Sequence, residues 1–300
     1  MLVLGRGALQ STGGSLSALM LNMLMVVLAS VVMLRMNWQF NFFGYSCDLH
    51  ATLYVLLNIL FLPQYCHGVR MAVVMVLLMT VCLWIIFSIY DKPKYTREIY
   101  VIVAICSTFT LVRPLMCVTL PVLVFGLVYM QVFSPRALFA ILLGIITPWW
   151  LLIVPLEFGW LELAPFSISP VWMTDSLSAG DITAMVMLVL GVVLGVTNFF
   201  STLSKRQQIY SYFVFTSWML LGLSVVAILD FEYVMVYLPM VVLFMAVHLS
   251  LNYSLIPHKR KYLIFLVILT IIIACFFMGL TDDSYEVVDR TQYTLCQGGA

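Results

Sequence analysis

Charge is what this chain has least of. Only 9% of its 300 residues are Asp, Glu, Lys or Arg, against 64% that are hydrophobic, whereas a soluble domain carries about 25% charged residues. That composition excludes an ordinary water-exposed surface, and a net charge of +1 supplies no field for nucleic acid. The apolar runs hold no mid-span Asp or Glu, which argues against proton-coupled transport, because coupling needs an ionisable group reached in turn from both sides. The four histidines, His50, His67, His248 and His258, form no H-x-x-x-H or E-x-x-H pair, so no metal centre is expected. Seven cysteines show no C-x-x-C spacing; those inside apolar runs read as small hydrophobes, and a Cys47–Cys66 pair would require both to face one compartment, which the sequence does not decide. Cofactor motifs, inverted repeats, heptads and low-complexity segments are absent too, and no cofactor is expected.

What fills the chain instead is a series of apolar blocks near 16–35, 49–62, 69–90, 98–112, 115–132, 137–156, 182–202, 209–229, 233–251 and 262–280. Most approach the length of about 17–25 residues that a membrane-crossing helix needs. The first is longer than a signal-peptide core and is followed by "RMNWQF" rather than small residues, so it reads as a retained span. The fold class expected is all-α: one integral domain over 1–300, a polytopic transmembrane bundle of nine or ten spans, with a loop at 157–181 and a tail at 281–300.

The separators differ in sign. "DKPKYTRE", "SPR", "SKRQQ" and "PHKRK" are basic, whereas 157–181, "DFE" and "DDSYEVVD" are acidic, so the positive-inside rule assigns the first set to the cytoplasm and the second to the outer side. The C-terminus is then non-cytoplasmic. The second block is the doubtful one: His50 to Leu62 covers about 20 Å and stops at Pro63, against about 30 Å of hydrocarbon. Ten spans would put both termini outside; nine would leave this block as a re-entrant or interfacial helix. Basic residues do not separate the two, since Arg6 and Arg35 merely exchange sides. The shortness of the block and the placing of Asp48 outside, with most other acids, favour nine.

Arg113 interrupts the run "TFTLVRPLMCVTL". A single helix through it would expel the later basic loops, so the chain must turn, and Pro114 disfavours helical geometry at Arg113 itself. Arg113 is therefore expected at an outer hairpin tip, either snorkelling to lipid phosphates or gripping an anionic group in a cavity. Asp230 and Glu232 are expected as solvated charges of a tight outer turn. "GVVLG", with Gly191 and Gly195, has the small-x-x-x-small spacing of close helix packing.

In the nine-span arrangement the outer face gathers Asp48 and His50 of "GYSCDLH", His67 and Arg70 of "PQYCHGVR", and Arg113. Such a set suits a lipid-linked phosphate: Arg113 and Arg70, with His50 and His67, as ligand-binding groups, and Asp48 as a catalytic base.

The run 100–152, "YVIVAICSTFTLVRPLMCVTLPVLVFGLVYMQVFSPRALFAILLGIITPWWLL", resembles an uncharacterised family of bacterial polytopic inner-membrane proteins, some labelled as gliding-motility-associated. That resemblance implies an inner-membrane protein in or beside cell-envelope assembly. The order of parts is also similar to the membrane module of C-type, polyprenyl-phosphate-sugar-dependent glycosyltransferases, in which the first outer loop holds the catalytic acid; Asp48 takes that place here, without a second acid beside it or a large outer soluble domain. The functions to be weighed are thus an envelope-assembly membrane protein of unknown activity, a glycosyltransferase acting at the outer face, and a non-catalytic scaffold subunit. The partners expected are membrane lipids, a lipid-linked phosphosugar or envelope-complex subunits, and no nucleic acid.

Overall fold

A computed structural model describes residues 16–40, 49–59, 71–90, 95–157, 170, 179–203, 208–255 and 270. Every α-helix in them falls on an apolar block: α1 (Leu16–Phe40), α2 (Leu49–Asn58), α3 (Met71–Ser88), α4 (Thr96–Val112), α5 (Thr119–Tyr129), α6 (Pro135–Glu157), α7 (Ala179–Leu203), α8 (Gln208–Leu229) and α9 (Val234–Leu255). Short 3-10 turns, Pro114–Val118 and Phe231–Tyr233, precede α5 and α9. No strand occurs among the described residues, so the chain is all-α there. Six helices, α1, α3, α6, α7, α8 and α9, are long and apolar enough to cross a bilayer. The molecule is a multi-pass membrane protein. The block at 262–280 lies outside the described residues apart from Thr270.

Local chemistry fixes where the helices stop. Pro114 holds Arg113 in extended geometry, φ −144° and ψ 116°, so α4 ends one residue earlier. The α5 C-terminus closes with Val132 N–H on the Leu127 carbonyl and Gln131 N–H on that of Val128, a Schellman arrangement in which Gln131 occupies the left-handed position, φ 58°, usually given to glycine. Pro135 starts α6, and the Ser134 hydroxyl accepts the Ala137 N–H at 3.2 Å.

Packing sets the direction of the helices. A Cβ on Gly191 would touch Ser224 and Leu220, and one on Gly195 would touch Leu221 at 3.0 Å, so the "GVVLG" glycines do bring α7 against an antiparallel α8, as their spacing predicts. Gly126 of α5 lies on the Phe215 ring and Val122 against Gly222, so α5 too runs opposite to α8. The innermost helix is α9, with 83% of its apolar span buried, whereas α1 and α6, at 33% and 28%, leave most of theirs exposed on the outside of the bundle.

The ends of the bundle can then be assigned. Gln39 accepts from the Trp84 indole at 2.7 Å, Phe40 meets Phe87, and Tyr212 meets Phe87 and Tyr90. The ends of α1 and α3 and the start of α8 thus share one end, joined by the end of α9 through Phe213 and His248. This end carries the basic connections. The ends of α4 and α8 share the other, acidic end, where Arg113 meets Asp230.

One expectation changes. The second block does form a short helix, and of the two placements expected for it, re-entrant or interfacial, burial of His50, Ala51, Leu53, Tyr54, Leu57 and Asn58 speaks against the interfacial one. Ten residues cover only about 15 Å, and packing against α1 and α9 satisfies a helix too short to be matched to the lipid.

Candidate functional site

At the acidic end two chain breaks face each other. Arg113, between α4 and α5, donates from Nε to Asp230 Oδ2 and from Nη2 to Asp230 Oδ1, both at 3.1 Å. Asp230 stands between α8 and the turn before α9, and its Oδ2 also accepts the Tyr237 hydroxyl. The guanidinium lies over the Tyr233 ring, 3.0 Å from its centroid. Arg113 is 5% exposed and Asp230 1%. The fork-to-fork geometry is what a planar guanidinium and a carboxylate adopt, and the aromatic face adds a second attraction to the cation.

The surroundings of both residues differ from those expected. Arg113 is buried, and the Nε and Nη2 side of its guanidinium is taken up by Asp230. Asp230 is not a solvated turn charge; Glu232, two residues on, is the exposed one. An isolated charge here would be strongly unfavourable, and mutual pairing with satisfied hydrogen bonds is what makes burial tolerable. Chemically the cluster is a neutral clamp holding the α4–α5 break against the α8–α9 break. With Asp230 bonded to the arginine and Tyr237, it offers no obvious base or nucleophile.

Of the other sequence-derived residues only His50 is described, and it does not lie beside this pair. His50 is buried at the basic end, with Nε2 2.9 Å from the Met33 carbonyl, and it lines a cavity of about 30 Å³ together with Met33, Met36, Thr80, Phe87 and Tyr212. Tyr212 and Asp230 bracket α8, so His50 and Arg113 are separated by most of that helix, about 27 Å for 18 residues at 1.5 Å each. Asp48, His67 and Arg70 lie outside the described residues, as do Cys47 and Cys66; Leu49, which follows Asp48 directly, begins α2 beside His50. Among the described residues no three His, Cys, Asp or Glu side chains converge on a metal position.

Sequence reasoning missed the Asp230 pairing. Its trace is there: Asp230, Tyr233 and Tyr237 recur at helical spacing in a turn with no Gly, Pro, Ser or Asn to keep it in water. No family model, curated protein or solved structure matches this chain.

Proposed function

We propose that this chain is a non-catalytic helical scaffold of the cytoplasmic membrane, a structural subunit working in or beside cell-envelope assembly. The observation that carries the reading is the Arg113–Asp230 pair: the one Lys or Arg buried among the described residues is spent on internal architecture. A glycosyltransferase of the C type would need Arg113 and Asp48 on one outer cavity. Arg113 is closed by Asp230, and the residues after Asp48 start at the opposite end of the bundle, which favours the scaffold.

In this reading the chain crosses the bilayer ten times. The ends of α1 and α3 lie together, so these helices are parallel, and residues 41–70 must carry the chain from one end of the bundle to the other. Positive-inside assignment then puts the basic end, with Asp48, in the cytoplasm and the Arg113 cluster on the outer side.

The test is to remove the charges without removing the fold. Arg113→Met combined with Asp230→Leu replaces the pair by apolar side chains, a change often neutral for stability. In a strain lacking the native protein, a scaffold carrying this double substitution restores resistance to detergents and bile salts. A normally folded, normally abundant double variant that leaves the envelope defect in place would sink the scaffold reading and restore a chemical role for Arg113.

A further inference from the structure

Two of the cysteines that read as small hydrophobes in the sequence meet in the fold. Cys82 lies on α3 and Cys106 on α4, consecutive antiparallel helices that pack together. At 1.5 Å per residue Cys82 stands about 9 Å from the end of α3 and Cys106 about 15 Å from the start of α4, so the hairpin sets them within about one helical turn of the same depth. The Cys106 side chain is hydrogen-bonded to that of Cys82. Both are free thiols, 3% and 0% exposed, and neither has a further partner among the described residues. Paired thiols serve either metal binding or oxidation. A closed structural zinc site takes four ligands, and among the described residues no third His, Cys, Asp or Glu side chain joins this pair. Oxidation needs the two sulfurs alone.

We propose that Cys82 and Cys106 form a peroxide-responsive dithiol, which closes to a disulfide and staples α3 to α4. Hydrogen peroxide is the oxidant that fits their burial, because it is nearly as small as water and carries no charge, whereas a peptide thiol or disulfide does not reach sulfurs so enclosed. One sulfur attacks a peroxide oxygen, the O–O bond breaks, and the departing hydroxide takes the thiol proton as water, leaving a sulfenic acid. The second sulfur then attacks the first, the S–O bond breaks, and a second water carries off the second proton. Two thiols are oxidised by two electrons, peroxide is reduced to two waters, and no charge is left in the core. A buried thiol on its own is slow to react and has no resolving partner. Here the neighbouring thiol captures the sulfenic acid before it passes to the irreversible sulfinic stage. The device is independent of the Arg113 clamp and of the scaffold reading.

The test exposes the full-length wild-type protein, in its own membranes, to graded hydrogen peroxide. The sample is denatured in iodoacetamide, reduced with a phosphine, and labelled again with isotopically heavy iodoacetamide. Cys82 and Cys106 are expected to acquire the heavy label together, and a digest made without reduction contains a peptide joining them. Peroxide also raises the unfolding temperature of the wild type by several degrees, since the bond closes a loop in the unfolded chain. In Cys82→Ala that rise is absent, and Cys106 keeps the light label or passes to sulfinic acid. Light label on both cysteines of the wild type at peroxide levels that oxidise the exposed Cys117, sulfinic acid at either without a cross-link, or a temperature rise that persists in Cys82→Ala would overturn the proposal. The labelling is read on the wild type, so it decides the matter even where the variant does not fold.

Discussion

Removing the Arg113 side chain leaves the Asp230 carboxylate buried without its counter-cation. Arg113→Ala is therefore expected to destabilise the bundle by about 3–5 kcal/mol, read as a large fall in the unfolding temperature of the detergent-solubilised protein. An arginine that gripped a lipid phosphate would behave differently, losing function with an intact fold, so a normal melt for Arg113→Ala would contradict the clamp. Tyr237→Phe tests the same cluster more gently. It deletes one buried hydrogen bond to a charged acceptor, with an expected cost of about 1.5–3 kcal/mol, and in a double-mutant cycle with Asp230→Asn the two losses are less than additive because they share an oxygen. That Arg113 sits at a chain break was legible in the sequence, from Pro114 and from the downstream basic loops. Its partner was not, because a contact across 117 residues is made by tertiary packing and leaves only the Asp230, Tyr233 and Tyr237 spacing as a local trace.

At the scale of the element, helix contacts in this bundle depend on absent side chains. A Cβ at Gly126 would overlap the Phe215 ring, and neither partner has room to retreat, since Phe215 is fully buried. Gly126→Leu should therefore separate α5 from α8 and abolish stable accumulation, whereas Val128→Leu, two residues away on an exposed position, leaves it unchanged; equal abundance of the two variants in membranes would refute the close approach. The opposite sign is expected at Gln131. Its left-handed backbone, φ 58°, costs a non-glycine residue about 1 kcal/mol, so Gln131→Gly should raise the unfolding temperature by a few degrees. The glycines of "GVVLG" were readable because their spacing is a property of one helix. Gly126 stands alone in α5, and nothing in its own segment shows that Phe215 will come to rest against it.

For the whole molecule, the apolar blocks located every described helix to within a few residues, because in lipid the backbone must satisfy itself within a helix and hydropathy alone marks where that happens. The path between α1 and α3 was not readable in the same way. Length measures whether a helix matches the bilayer, and α2 is matched to protein instead, buried against α1 and α9. Nine and ten crossings give the same partition of basic residues, so charge is silent where length misleads. The contacts Gln39–Trp84 and Phe40–Phe87 make α1 and α3 parallel, and the ten-span topology proposed above rests on that. The consequence is measurable in intact cells with a membrane-impermeant maleimide and single cysteines in a cysteine-free background. Glu232→Cys, exposed in the acidic turn, should label from outside, whereas Asp48→Cys should label only after the cells are opened, as should Ser134→Cys in the turn between α5 and α6. Labelling of Asp48→Cys and Glu232→Cys from the same side would return α2 to a re-entrant helix. It would also put the only acid near the start of α2 back on the outer face, and with it the glycosyltransferase alternative.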